Sequence, residues 1–210
     1  MESVDGLRQL LAEMRIAKDS KNGRQLFKYL DLLEKWNARV NLTASTEWSS
    51  LKRLFYEGIW ASRIYPPEAA SHLDIGTGAG FPAIILRILA PHIHLDMVES
   101  RGKKSAFLET VIHALDMKGA IVHAERLDSL LRRCEGTKTW DCISWKGVKL
   151  DSGDLLELRR YAHPHTQFWM FHGREPAVEE PEILEKNFTL LRQEKFPVNN
   201  DWALSMYVPR

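Results

Sequence analysis

Apolar residues first recur at helical spacing. Leu7, Leu10, Leu11 and Met14 stand three or four apart, and so do Leu26, Tyr29, Leu30, Leu33 and Trp36 within residues 25–37. The same period continues through 48–64, and Pro66 and Pro67 then break it. The pattern changes at Ser71, where short apolar runs alternate with helical stretches. Strands are predicted at 71–75, 94–98, 120–123, 141–144, 167–171, 188–195 and 204–208. Helices are predicted between the earlier ones, at 82–89, 103–115, 128–133 and 155–161, with Pro82 in a first turn. Such alternation calls for an α/β fold: a doubly wound, mainly parallel sheet with helices on both faces. The last two strands have no predicted helix between them, so an antiparallel edge is expected. The chain divides into a helical N-terminal extension, 1–66, and an α/β domain, 67–210.

Composition narrows this little. The 210 residues are 44% hydrophobic and 27% charged, which excludes a disordered chain and a disulfide miniprotein. A formal net charge of +1 means that any nucleic-acid contact must come from a local patch. Two cysteines, Cys134 and Cys142, form no CxxC pair and read as structural, in a reducing compartment. His163, His165 and His172 lack partners at ligand spacing, so no metal is expected. The N-terminus does not read as a signal peptide, and no apolar run is long enough to span a bilayer. The protein is read as cytoplasmic, without a membrane partner.

The chemistry begins at Leu73-Asp74-Ile75-Gly76-Thr77-Gly78-Ala79-Gly80-Phe81-Pro82. Three alternating glycines let the backbone pass close under a ligand and turn into a helix. The Lys and Ser/Thr that close a phosphate-binding loop are absent. Asp74 ends the first strand, where it can order the loop or meet a cationic group. Glu99 ends the second, at the place where an acid accepts hydrogen bonds from ribose hydroxyls. Together they point to an adenosine-containing ligand without an obligatory pyrophosphate, and S-adenosylmethionine fits best. A turn whose glycines serve only packing, or a nicotinamide site, would use the same glycines.

Asp74-Ile-Gly-Thr-Gly-Ala-Gly-Phe-Pro and Val98-Glu-Ser-Arg-Gly-Lys-Lys-Ser-Ala-Phe-Leu resemble the RsmG (GidB) methyltransferases. Leu33-Glu-Lys-Trp-Asn-Ala-Arg-Val-Asn-Leu-Thr is similar to that family's more specific N-terminal signature. The resemblance runs from about Leu26 to Val148. It implies a Rossmann-like class I methyltransferase acting on guanine N7 of 16S ribosomal RNA or of the small ribosomal subunit, as a monomer. It implies that Gly76, Gly78, Gly80 and Phe81 lie under the methionine part of S-adenosylmethionine. By the same resemblance Glu99 holds the ribose, with Asp74 and Ser100 beside these groups. Arg126 and Leu127 flank the adenine, and Lys146, in the place of a family Arg, is counted among the cofactor-binding residues as well.

The departures cluster on the RNA side. The family's Arg-His is Arg53-Leu54, its Lys-Pro-Gly-Gly turn is His163-Pro164-His165-Thr166, and Trp202-Ala203-Leu204 stands where its Arg near the final strand would be. Lys146 keeps the charge of Arg but not its planar fork. Guanine N7 attacks through a free lone pair and loses no proton, so no general base is nominated. Arg126 and Lys146 are the expected catalytic pair, orienting the base or a phosphate. Arg101, Lys103 and Lys104 are either a phosphate patch or an exposed helix turn. Trp145 is either a base-stacking platform or a core residue. Trp36 and Asn37 are expected to fix the N-terminal helix. Glu175, Glu179, Glu180, Glu182 and Glu185 are expected on a solvated loop or helix face. A divergent methyltransferase on another substrate, or a non-catalytic cofactor-binding or ribosome-assembly protein, would share the glycine loop.

Overall fold

The computed structural model describes residues 2–173, 181–196 and 199–210. Three helices come first: α1 (Glu2–Glu13), α2 (Lys21–Asn37) and α3 (Trp48–Ile64). The Ser20 hydroxyl caps α2 by accepting from the Gly23 amide at 3.0 Å. Asn37 ends the helix by accepting from the amides of Leu42 and Thr43, both at 2.9 Å. Trp36 meets Phe107 edge-on at 5.8 Å, which ties this helix to the sheet layer.

The α/β portion runs β1 (Ser71–Ile75), α4 (Ala83–Leu89), β2 (His94–Val98), α5 (Gly102–Ala114), β3 (Ala120–His123), α6 (Leu127–Cys134), β4 (Trp140–Lys146), α7 (Ser152–Arg159), β5 (Ala162–His172), α8 (Pro181–Asn187), β6 (Phe188–Phe196) and β7 (Asn199–Pro209). The sheet order is β3-β2-β1-β4-β5-β7-β6. β1 to β5 are parallel, and β7 pairs antiparallel with both β5 and β6. The antiparallel edge is therefore present as expected. Chain order reverses between β1 and β4, which opens a crevice at their carboxyl ends.

The register sorts the side chains by face. Leu73, Ile75, Val98, Ile143, Trp145, Phe168 and Met170 share a core with Leu130 and Leu131 of α6 and Leu155 and Leu158 of α7. On the opposite face Met97 joins a core built from α1, α2, α3, α4 and α5. Cys142, Trp169 and Phe171 join another with Ala61 of α3 and Leu204 of β7. Between these two lies a row of buried polar residues, His72, Asp74 and Ser144. Helix α3 approaches α4 closely because Gly58 has no side chain: a Cβ there would sit 2.6 Å from Ile85 Cβ.

The differences from the predicted elements are local. Pro82 occupies the N-cap of α4 rather than its first turn. Strands β4 and β5 start earlier than predicted, because Thr166 donates to the Trp140 carbonyl at 2.7 Å and holds their polar beginnings together. Glu182 and Glu185 are exposed on α8, whereas Glu175, Glu179 and Glu180 lie outside the described residues. Both cysteines are buried and free. Among the described residues no helix is long and apolar enough to cross a membrane.

Candidate functional site

The turn from β1 to α4 is left-handed at three residues: Gly76, Gly78 and Gly80 have φ of 64°, 61° and 94°. Thr77 fixes it at both ends, its hydroxyl donating to the Asp74 carbonyl at 2.9 Å and its amide to the Val98 carbonyl at 3.1 Å. The Tyr29 hydroxyl donates to the Ala79 carbonyl at 2.7 Å, so α2 clamps the turn from outside. The glycines differ in use. A Cβ on Gly80 would lie 2.5 Å from Ile84 Cγ1, and one on Gly76 2.3 Å from Val148 Cγ2. Around Gly78 there is room, bounded by Lys104 Nζ at 3.9 Å. Phe81 turns inward, 5.3 Å from the Tyr29 ring and 5.5 Å from Phe55.

Glu99 closes the turn from β2. Its Oε2 accepts from the Gly78 amide at 2.9 Å and its Oε1 from the Arg101 amide at 2.8 Å. These bonds fix the carboxylate while leaving a lone pair on each oxygen. In front of it opens a cavity of about 260 Å³, lined by Gly76, Glu99, Ser100, Arg126 and Leu127 among others. Five of the predicted residues thus share one wall. Val148 and Leu150 also line it; neither is among the residues expected from the sequence, although the loop after β4 borders the crevice in such a sheet. Arg126 stands on the lip with its side chain 83% exposed, 3.5 Å from Asp128. Larger cavities lie at the start of α3, about 560 Å³, and between α2 and α4, about 330 Å³, so size alone does not select the site.

Asp74 lies beneath the turn rather than in the cavity wall. Its Oδ1 accepts from the Ser144 hydroxyl at 2.5 Å, and His72 Nε2 lies 2.7 Å from the same hydroxyl. Burial pushes the Asp74 carboxyl up to about 7, against the opposing pull of Ser144, Thr77 and Lys146. Burial also pushes His72 down to about 3, so its ring stays neutral. Tyr65 stacks on that ring at 5.6 Å.

Lys146 leaves the end of β4 on this face and ion-pairs with Glu57 of α3, outside the cavity lining. Burial lowers the lysine's pKa, while Glu57 opposes the shift. Trp145 points the other way, fully buried, so the stacking platform considered for it is excluded and the core reading holds. The strand alternation puts residue 145 on the covered face. Of the basic run, Lys104 reaches the turn, whereas Arg101 and Lys103 are exposed. His163 pairs with Asp141 at 2.8 Å and His172 with Ser205 at 2.8 Å. Among the described residues no three His, Cys, Asp or Glu side chains gather as metal ligands.

Comparison with known proteins gives a concordant picture. The family model described as rRNA small subunit methyltransferase G matches residues 22–199. A Roseiflexus sp. (strain RS-1) protein named ribosomal RNA small subunit methyltransferase G is 32% identical over 169 residues, 80% of this chain and 69% of that protein. A protein of the same name from Wolinella succinogenes is 28% identical over 193 residues, 92% of this chain and 97% of the other. Among solved structures, an O-methyltransferase from Bacillus cereus in complex with SAH matches with a TM-score of 0.65 at 16% identity, covering 95% of this chain and 96% of that one. The O-methyltransferase TomG from Streptomyces achromogenes, in complex with SAM, gives a TM-score of 0.62 at 15% identity, covering 87% and 90%. These likenesses concern the fold.

Proposed function

The chain belongs to the rRNA small subunit methyltransferase G family, and from that premise we propose that it methylates guanine N7 in 16S ribosomal RNA with S-adenosylmethionine as donor. One observation carries the cofactor half. A turn of three left-handed glycines is bound through the Gly78 amide to a carboxylate whose oxygens each keep a free lone pair, and Gly76 and that carboxylate line the same cavity. These residues fit the cofactor: Gly76 leaves the backbone bare in the cavity wall, the Glu99 carboxylate is held in place by two amides, and Leu127, Val148 and Leu150 supply apolar walls. When bound, S-adenosylmethionine supplies an electrophilic methyl group.

Glu99 takes the ribose hydroxyls, with Ser100 beside it, and Arg126 and Leu127 flank the adenine. Asp74 acts one layer down, holding the end of β1 against β4 through Ser144. Phe81 likewise supports the turn from the aromatic cluster of Tyr29 and Phe55. Lys146, at the end of β4, orients the guanine or its phosphate. No side chain has to remove a proton, because guanine N7 carries none, so alignment is the enzyme's main contribution. On this reading the protein acts as a monomer on the small subunit, in the cytoplasm. Residues 1–66 act as a helical extension that braces the turn through Tyr29.

The test is transfer of labelled methyl from S-adenosylmethionine into an extract of cells lacking this activity, fractionated into RNA, protein and small molecules. Label recovered as N7-methylguanine in small-subunit RNA is expected. Label in another fraction, or cofactor binding without any transfer, overturns the proposal.

A further inference from the structure

Arg53, Glu57, Lys146 and Trp202 come from three distant segments and meet beyond the end of β4. Glu57 is fully buried: it pairs with Lys146 through Oε2, and its Oε1 lies 3.4 Å from Arg53 Nε. The Arg53 guanidinium sits 4.4 Å over the Trp202 ring, and Lys146 Nζ lies 5.5 Å from the same ring. Two cations face the one carboxylate of the cluster, and Asp74, which also acts on Lys146, is itself pushed toward its neutral form by burial, so positive charge is in excess there. Exposure decides which residue presents it. The Lys146 side chain is 12% exposed and pairs with Glu57, whereas that of Arg53 is 35% exposed.

Arg53 also lines the cavity at the start of α3, together with Lys52 and the hydroxyl side chains of Ser45, Ser49 and Ser50, and among the described residues no acid lines it. A second cation and several hydroxyls beside that guanidinium are the chemistry that holds a phosphodiester. Stacking on an aromatic ring fixes the plane of the guanidinium and leaves its edge free for two oxygens.

We propose that Arg53 grips a backbone phosphate of the RNA beside the target nucleotide, and that Glu57 and Trp202 are the positioning residues that hold its guanidinium. The proposal rests on the RNA-methylating function above. It gives Arg53 the two-pronged contact that the point charge of Lys146 cannot make.

The experiment compares the full-length protein with its R53A, R53K, W202A, E57Q and R53A/E57Q variants. Readouts are KM and kcat for methyl transfer to small subunits lacking the methyl group, RNA affinity across a salt series, and cofactor affinity. R53A is expected to raise KM and the RNA Kd about 10-fold, with kcat within about threefold and cofactor affinity unchanged. Its slope of log affinity against log salt should fall by about 0.7–0.9, the loss of one phosphate contact. R53K should restore the slope but only part of the affinity. W202A should raise KM about threefold with the slope kept.

If Glu57 acts through Arg53, R53A/E57Q is no worse than R53A, and additive losses overturn that role. Should E57Q not fold, W202F against W202A carries the positioning half: W202F must keep the KM that W202A loses. Wild-type methylation with R53A unchanged in KM and slope overturns the Arg53 proposal alone. A wild type that binds cofactor yet neither binds nor methylates the RNA overturns the functional reading as well.

Discussion

On the β1–β2 side the glycine turn, residues 76–80, is one continuous stretch met by a carboxylate one strand later, and Gly76 and Glu99 line the cavity. On the β4 side the charged cluster is drawn from residues 53, 57, 146 and 202. The first is a backbone object: three left-handed glycines and two amides donating to Glu99 set its shape. The second is a side-chain object, held by a buried ion pair and an aromatic ring, and its geometry depends on how α3 and β7 cross the sheet. A backbone site tolerates little change at its own positions, and a side-chain site can be retuned residue by residue. The departures expected from the family resemblance fall accordingly, at Leu54, at Lys146 and around Trp202 rather than in the glycine turn.

The contrast breaks hardest at Gly76. Gly76→Val puts a branched side chain where Val148 already stands and forces a left-handed residue, so cofactor affinity should fall more than about 100-fold in a calorimetric titration. Lys146→Ala should lower methyl transfer to the small subunit on the order of 100-fold while leaving cofactor affinity within about twofold; equal losses in both would merge the two sides into one. Glu99→Gln should weaken cofactor binding about 10-fold, since its carboxylate accepts two amide hydrogens and meets the ribose, with RNA affinity unchanged.

The last effect, on stability rather than on binding or rate, concerns Asp74, which joins the two sides. Its folded-state carboxyl is raised to about 7 from an ordinary value of 3.8, so the folded protein binds its proton more tightly than the unfolded chain. Stability from this group is therefore lost as pH rises from about 4 to about 7, by roughly 2–4 kcal/mol. Asp74→Asn should flatten that part of the pH–stability curve; a wild-type curve no steeper than the variant's between those values counts against the raised carboxyl.

Legibility in sequence follows the same division. The strands were readable because buried parallel strands are short apolar runs, and the glycine turn because its pattern is local. Glu99 was readable because β2 ends there. The covered face of Trp145 follows only from the register of β4, and the pairing of Lys146 with Glu57 only from where α3 lies. Neither is encoded in spacing, since Glu57 and Lys146 are 89 residues apart. Asp74 read equally well as a loop anchor or a ligand contact; Ser144, its neighbour across the β1–β4 pair, places it beneath the turn.

The most direct test of two separable sides is a paired measurement on one preparation of Lys146→Ala: calorimetric affinity for S-adenosylmethionine and initial rate of methyl transfer to small subunits lacking the methyl group. The account predicts wild-type cofactor affinity with a rate reduced about 100-fold. A wild-type rate, or a cofactor affinity that falls in step with the rate, would contradict it.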